Sequence, residues 1–125
     1  MSHSHTSINI HFVFAPLGRS RINTPEIRTH LGKYLKGICS NIGCTCLACY
    51  VMPDHVHMLV RLPAKLSVAE CAQKVKGNSS RHLNTLPERQ CRFAWQEGYG
   101  AFSCSFSALE KVSDYIHQQE EHHRV

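Results

Sequence analysis

The chain has 125 residues, a hydrophobic fraction of 42%, and 14 Lys and Arg against 9 Asp and Glu, a net charge of +5 at pH 7. That length and apolar content suit one globular domain and exclude a disordered chain. The longest uninterrupted apolar run, Cys46 to Met52, is far too short to cross a bilayer, and no apolar segment follows a basic start, so a cytoplasmic protein with reduced cysteines is expected.

Residues 1–7 are polar and read as a frayed terminus. Ile8 to Phe14 alternates: Ile8, Ile10, Phe12 and Phe14 share one face, with Asn9, His11 and Val13 on the other, the pattern of a half-buried strand. Ala15 to Asn23 reads as a basic loop. Thr24-Pro25-Glu26 opens a helix: Thr caps, Pro takes the first helical position, and the acid meets the positive end of the dipole. Ile27, Leu31, Tyr34, Leu35 and Ile38 continue at helical spacing, and Gly43 is a stop.

Thr45 to Met52 then reads as a strand, Pro53-Asp54 as a tight turn, and His55 to Leu62 as a second strand. Ser67-Val68-Ala69-Glu70 has capping-box spacing and starts a second helix running to about Leu86. Pro87 to Gly100 is irregular, and Ala101 to Phe106 is a short strand. Ser107 to Glu110 repeats the capping-box spacing and opens a third helix with Leu109, Val112 and Ile116 as its apolar stripe. The order β-α-β-β-α-β-α matches an α+β, ferredoxin-like split βαβ domain with an antiparallel sheet plus a C-terminal helix. Such a sheet buries one face under two helices and leaves the other free.

In the segment after Pro53-Asp54, alternation puts His55, His57, Leu59 and Arg61 on one strand face, and Val56, Met58, Val60 and Leu62 on the core face. The two imidazoles stand about 7 Å apart along the strand, and neutral imidazole is a common ligand for divalent metals. On spacing alone, two solvent-facing polar residues are the commoner meaning of His-x-His. Tyr115 and Gln119 lie one turn apart on one face of the third helix. Without further information, Tyr115 is a partly buried aromatic and Gln119 a solvated polar residue.

The combined pattern resembles the HUH single-tyrosine transposases, the TnpA-like enzymes of the IS-two-hundred/six-hundred-five insertion sequences and their REP-associated relatives. His55-Val56-His57 after Pro53-Asp54 looks like the HUH signature. Ile10-His11-Phe12-Val13-Phe14 looks like the first strand of these enzymes, and Lys76-Gly77-Asn78-Ser79-Ser80-Arg81 like a segment of their second helix. Phe93 to Ser103 is similar to a characteristic stretch of one subgroup, and Tyr115 to Arg124 to the helix that carries the nucleophile.

The resemblance implies a transposase that cuts and rejoins single-stranded DNA through a 5′-phosphotyrosine intermediate. It assigns Tyr115 as nucleophile, and His55, His57 and Gln119 as ligands of Mg²⁺ or Mn²⁺. It further implies a homodimer whose active sites are shared between subunits, and single-stranded DNA with hairpins as the partner. Arg19, Arg21, Lys74, Lys76 and Arg81 are candidate phosphate contacts, and Trp95 and Tyr99 candidate stacking platforms for unpaired bases. The pI of about 8.9 permits such a partner without requiring it. Relatives often carry a lysine after the first strand, where this chain has Pro16-Leu17-Gly18.

Two rival readings stand beside this one. Cys44, Cys46 and Cys49, with Cys39 nearby, raise a zinc module. Strand alternation puts Cys44 and Cys46 on one face and Cys49 on the other, however, so buried small hydrophobes are expected instead. The second rival is a non-catalytic or domesticated hairpin-binding domain. Sheet domains of that kind read bases with aromatics on the open face, where this chain has His55 and His57.

Overall fold

Thr24 and Ser67 fix where the two long helices begin. The Thr24 side chain accepts from the Ile27 amide at 3.2 Å and opens helix α1, Pro25–Asn41, with Pro25 at its first turn. Ser67 and Glu70 form the reciprocal capping box of helix α2, Val68–Leu83: Glu70 N donates to Ser67 Oγ at 3.1 Å, and Ser67 N to Glu70 Oε1 at 3.4 Å. Gly43, at φ +85°, makes the left-handed turn out of α1. The computed structural model describes residues 5–18, 22, 24–87 and 92–118.

Four strands, β1 (Ile8–Phe14), β2 (Thr45–Val51), β3 (Val56–Leu62) and β4 (Gly100–Cys104), form one antiparallel sheet in the order β2-β3-β1-β4. This is the α+β split βαβ arrangement expected from the element order. The main core lies between one sheet face and the two long helices. Ile10, Phe12 and Phe14 of β1 and Val56, Met58, Val60 and Leu62 of β3 meet Leu31 and Leu35 of α1 and Cys71 and Val75 of α2.

Three expectations change. First, the opposite face is not free. After a single 3₁₀ turn at Phe106–Ala108, helix α3, Leu109–His117, packs on it. Ile116 is fully buried against Ala48 and Leu59, with Leu109 and Val112 beside it. The apolar stripe was legible; what it covers was not. Second, α3 has no side-chain cap, because the 3₁₀ turn occupies the residues of the expected capping box.

Third, a bulge between Cys46 and Ala48 resets the alternation of β2. Cys46 and Cys49 therefore both pack toward the main core, beside Cys39 and Cys44. Cys39, Cys44 and Cys71 are buried in this core. Burial pushes Cys71 up to about 12 and raises Cys44, and among the described residues no group of three or more His, Cys, Asp and Glu is arranged to hold a metal ion.

The described residues between α2 and β4 are tied down by hydrogen bonds at both ends. Asn84 acts as a strand partner with its side chain, accepting from Phe93 N at 2.6 Å and donating to Phe93 O at 3.0 Å. Leu17 N donates to Ala94 O and Gln96 N to Ala15 O, both at 2.8 Å, which ties the segment to the loop after β1. No helix among the described residues is long and apolar enough to cross a membrane.

Candidate active site

The site begins at the β2–β3 turn. Met52 N donates to His55 O at 2.8 Å across Pro53-Asp54, and Ile22 N donates to Pro53 O at 3.0 Å from the segment before α1. His55 therefore sits at the mouth of a doubly tethered hairpin, and His57 follows two residues later on the same face of β3. Their ring centroids are 4.9 Å apart, edge to face.

Each imidazole is held through Nδ1. Asp54 Oδ1 accepts from His55 Nδ1 at 2.8 Å. His57 Nδ1 lies 3.0 Å from His11 Nε2 on β1. His57 was expected on the solvent side but is only 8% exposed. Tyr50 of β2 and Val13 of β1 stand directly opposite it, and His11 reaches it on the diagonal. Burial pushes His11 below the usual imidazole range, which favours its neutral form.

Asp54 and His11 carry no metal-ligand spacing, so reading the chain for His-x-His misses their part. The usable signal is topological. Once β1 lies beside β3, the Asn9, His11 and Val13 face of β1 must be the face that carries His57.

Two adjacent imidazoles with engaged Nδ1 atoms are a donor set suited to a borderline divalent cation. They fit two of the three ligands expected. The third, Gln119, lies outside the described residues. Tyr115 lies on α3 beside the fully buried Ile116, and is itself half exposed. The helix that buries its stripe on Ala48 and Leu59 thus carries the tyrosine on the histidine face of the sheet.

The basic and aromatic candidates divide. Arg19 and Arg21 lie outside the described residues. Lys74 is exposed, and Arg81 is exposed with its guanidinium donating to Asn78 Oδ1. Lys76 is committed within the fold: its ammonium donates to Gln96 O and Gly98 O, both at 2.7 Å, across the turn where Gly98 takes φ +79°.

Trp95, expected as a stacking platform, is instead a core residue. Its ring packs edge-on against Phe14 and Phe93, each at 4.7 Å, and its indole N–H donates to Ser79 Oγ at 3.0 Å, so no face is open to a base. Tyr99 is exposed.

Comparison with known proteins decides what this arrangement belongs to. The family described as "Transposase IS200 like" matches residues 4–119. The chain belongs to the IS200-like transposase family. It is 31% identical over 127 residues to the transposase for insertion sequence element IS200 of Salmonella typhimurium, covering 97% of this chain and 83% of that one. It is 22% identical over 119 residues to the ISDra2 transposase TnpA of Deinococcus radiodurans, covering 91% and 85%.

Two solved structures share the fold. A candidate transposase from Deinococcus radiodurans superposes with a TM-score of 0.72 at 22% identity, covering 95% of this chain and 98% of that one. A REP-associated tyrosine transposase bound to a REP hairpin superposes with a TM-score of 0.68 at 17% identity, covering all of this chain and 76% of that one. As an IS200-like transposase, the protein is an enzyme that cuts and joins DNA.

Proposed function

We propose that this transposase cuts and rejoins single-stranded DNA with Tyr115 as the nucleophile. The Tyr115 hydroxyl attacks a backbone phosphorus. The bond from phosphorus to the phenolic oxygen forms as the bond to the 3′ oxygen breaks. The phenol loses a proton and the departing 3′ oxygen gains one, leaving a 5′-phosphotyrosine and a free 3′-hydroxyl. The phosphodiester is exchanged, not hydrolysed, so the step reverses to rejoin DNA without a nucleotide cofactor.

His55 and His57, with Gln119, would hold Mg²⁺ or Mn²⁺, which when bound supplies positive charge at the scissile phosphate. What the chain itself contributes is placement. The tethered hairpin holds both imidazoles, and α3, which carries Tyr115, packs on the same sheet face. The observation that carries the reading is this pairing of His55 and His57 with the tyrosine helix on one face.

The ligand we propose is a single strand bearing a hairpin, a reading supported by the relative bound to a REP hairpin. Exposed Lys74 and Arg81 would meet phosphates, and exposed Tyr99 would stack on unpaired bases. The working unit we propose is a homodimer in which Tyr115 and Gln119 of one subunit complete the site made by His55 and His57 of the other.

The test is to incubate the protein with labelled single-stranded DNA from the flanks of its own gene, with Mn²⁺ or with chelator. A covalent adduct that needs Mn²⁺ and disappears in Tyr115→Phe supports the reading. Binding with no adduct under any metal makes the protein a hairpin binder, and an adduct that survives Tyr115→Phe assigns the nucleophile elsewhere. Mixing Tyr115→Phe with His57→Ala subunits tests the shared site: restored cleavage supports it, and silence in every mixture refutes it.

A further inference from the structure

The two candidate ligands are not oriented by equivalent partners. Asp54 is a carboxylate and can only accept, so its 2.8 Å contact puts the proton of neutral His55 on Nδ1 and the lone pair on Nε2. His57 faces another imidazole, His11, whose Nε2 can either donate or accept across the 3.0 Å contact. If His11 donated, the His57 lone pair would be spent on Nδ1 and its Nε2 would carry hydrogen. Two imidazoles on one strand face can then serve the same ion only if His11 accepts.

We propose that His11 is a positioning residue that fixes His57 as its Nδ1–H tautomer, presenting Nε2 in the same sense as His55. This rests on the reading of His57 as a ligand. In this arrangement His11 carries its own proton on Nδ1 and accepts with Nε2.

The geometry makes His11 suited to the task. It stands on β1, opposite Leu59 and Phe102, in the middle of the sheet, not on a loop. Its ring is tilted 31° to that of His57 with centroids 5.2 Å apart, and the Phe102 ring flanks it at 6.3 Å. A residue in a central strand, paired on both sides, holds its acceptor in place better than a surface side chain. Metal-bound histidines generally depend on such a partner at the second nitrogen.

The direct test is a long-range ¹H–¹⁵N spectrum of the metal-free protein labelled at histidine, recorded well above the imidazole titration range. His57 is expected as the Nδ1–H tautomer in the wild type. In His11→Leu it should lose that preference. In His11→Gln, whose side-chain oxygen accepts near the original Nε2, it should keep it.

Mn²⁺ titration without DNA gives the second readout. Affinity should fall about 10–100-fold in His11→Leu and be largely restored in His11→Gln. An Nε2–H tautomer of His57 in the wild type overturns the proposal outright and needs no variant to fold. An unchanged tautomer in His11→Leu also overturns it. Failure of the underlying reading looks different: His57→Ala would then bind Mn²⁺ as well as the wild type, whatever the tautomer spectrum shows.

Discussion

Among the described residues, helix α3 is held to the sheet by one small apolar cluster, and that can be measured. It has nine residues and no side-chain cap, a length that does not stay helical alone in water. Its one fully buried side chain is Ile116, on Ala48 and Leu59, with Leu109 and Val112 partly buried beside it. Ile116→Ala removes three carbon groups from that contact, or about 2.4 kcal/mol at ~0.8 kcal/mol per buried group, before any cavity contribution.

Because α3 does not enter the main core, this loss falls on docking of the helix and not on global folding. A loss of about 2–3 kcal/mol corresponds to a roughly 30–150-fold rise in opening, at about 1.4 kcal/mol per factor of ten. Hydrogen exchange followed by mass spectrometry should show that drop in protection in peptides spanning Leu109 to His117, with β1 and β3 nearly unchanged. Tyr115 adduct formation should fall with it. Equal loss of protection in α3 and the central strands would show that α3 is part of the global cooperative unit, and unchanged protection in α3 would show that Ile116 is not its anchor. Either result refutes the reasoning.

Ser79→Ala leaves the Trp95 indole N–H buried without its acceptor and should lower stability by about 1–3 kcal/mol in denaturant unfolding, whereas Ser80→Ala, whose hydroxyl is exposed, should change little. Lys76→Met keeps the aliphatic stem but removes the donor to Gln96 and Gly98. A stability loss of about 1 kcal/mol with an unchanged salt slope for hairpin binding is expected, and a slope reduced by about 1 with unchanged stability would make Lys76 a phosphate contact instead. His82 lies with its Nε2 2.6 Å from His30 Nε2 and stacked on Tyr34, and burial, then the facing His30, hold it below the ordinary imidazole value of about 6.5. The folded state therefore disfavours its proton, so this contribution to stability is present above about pH 6.5 and is lost as pH falls. His30→Gln should raise the His82 pKa in an NMR titration without restoring it fully, since burial persists; no movement would remove His30 as a cause.

The sequence made local features legible and hid lateral ones. Thr24-Pro25 and Ser67 to Glu70 located both long helices because caps are local hydrogen bonds between near neighbours. Alternation in β1 and β3 gave the core face, and with it the face of His55 and His57. The bulge between Cys46 and Ala48 was invisible, because one extra residue shifts a strand's alternation without changing its composition. Trp95 was misjudged for a similar reason. A lone tryptophan in an irregular stretch gives no period, and its core position follows from tertiary contacts: the pairing with Pro16, the rings of Phe14 and Phe93, and the Ser79 hydroxyl. The role of His11 stays open in the sequence because its value depends on which strand lies next to which.

These differences in legibility follow a mechanical division in the molecule. His57 stands on a strand paired on both sides and backed by the main core, and His55 immediately precedes that strand at a turn tethered by Ile22 and Met52. The tyrosine stands on a short helix docked through fully buried Ile116 with Leu109 and Val112 beside it. In the proposed reaction, a tyrosine linked to DNA would travel with its strand, whereas histidines orienting the phosphate would stay fixed. Weak docking of α3 against a rigid sheet suits that division. It also suits the proposed exchange of tyrosine helices between subunits, since each helix would trade the small cluster around Ile116, Leu109 and Val112 for an equivalent one. A variant that strengthens docking, such as Ala48→Val beneath Ile116, should therefore raise α3 protection in hydrogen exchange while slowing strand transfer. Faster transfer with higher protection would separate catalysis from helix mobility and refute the coupling.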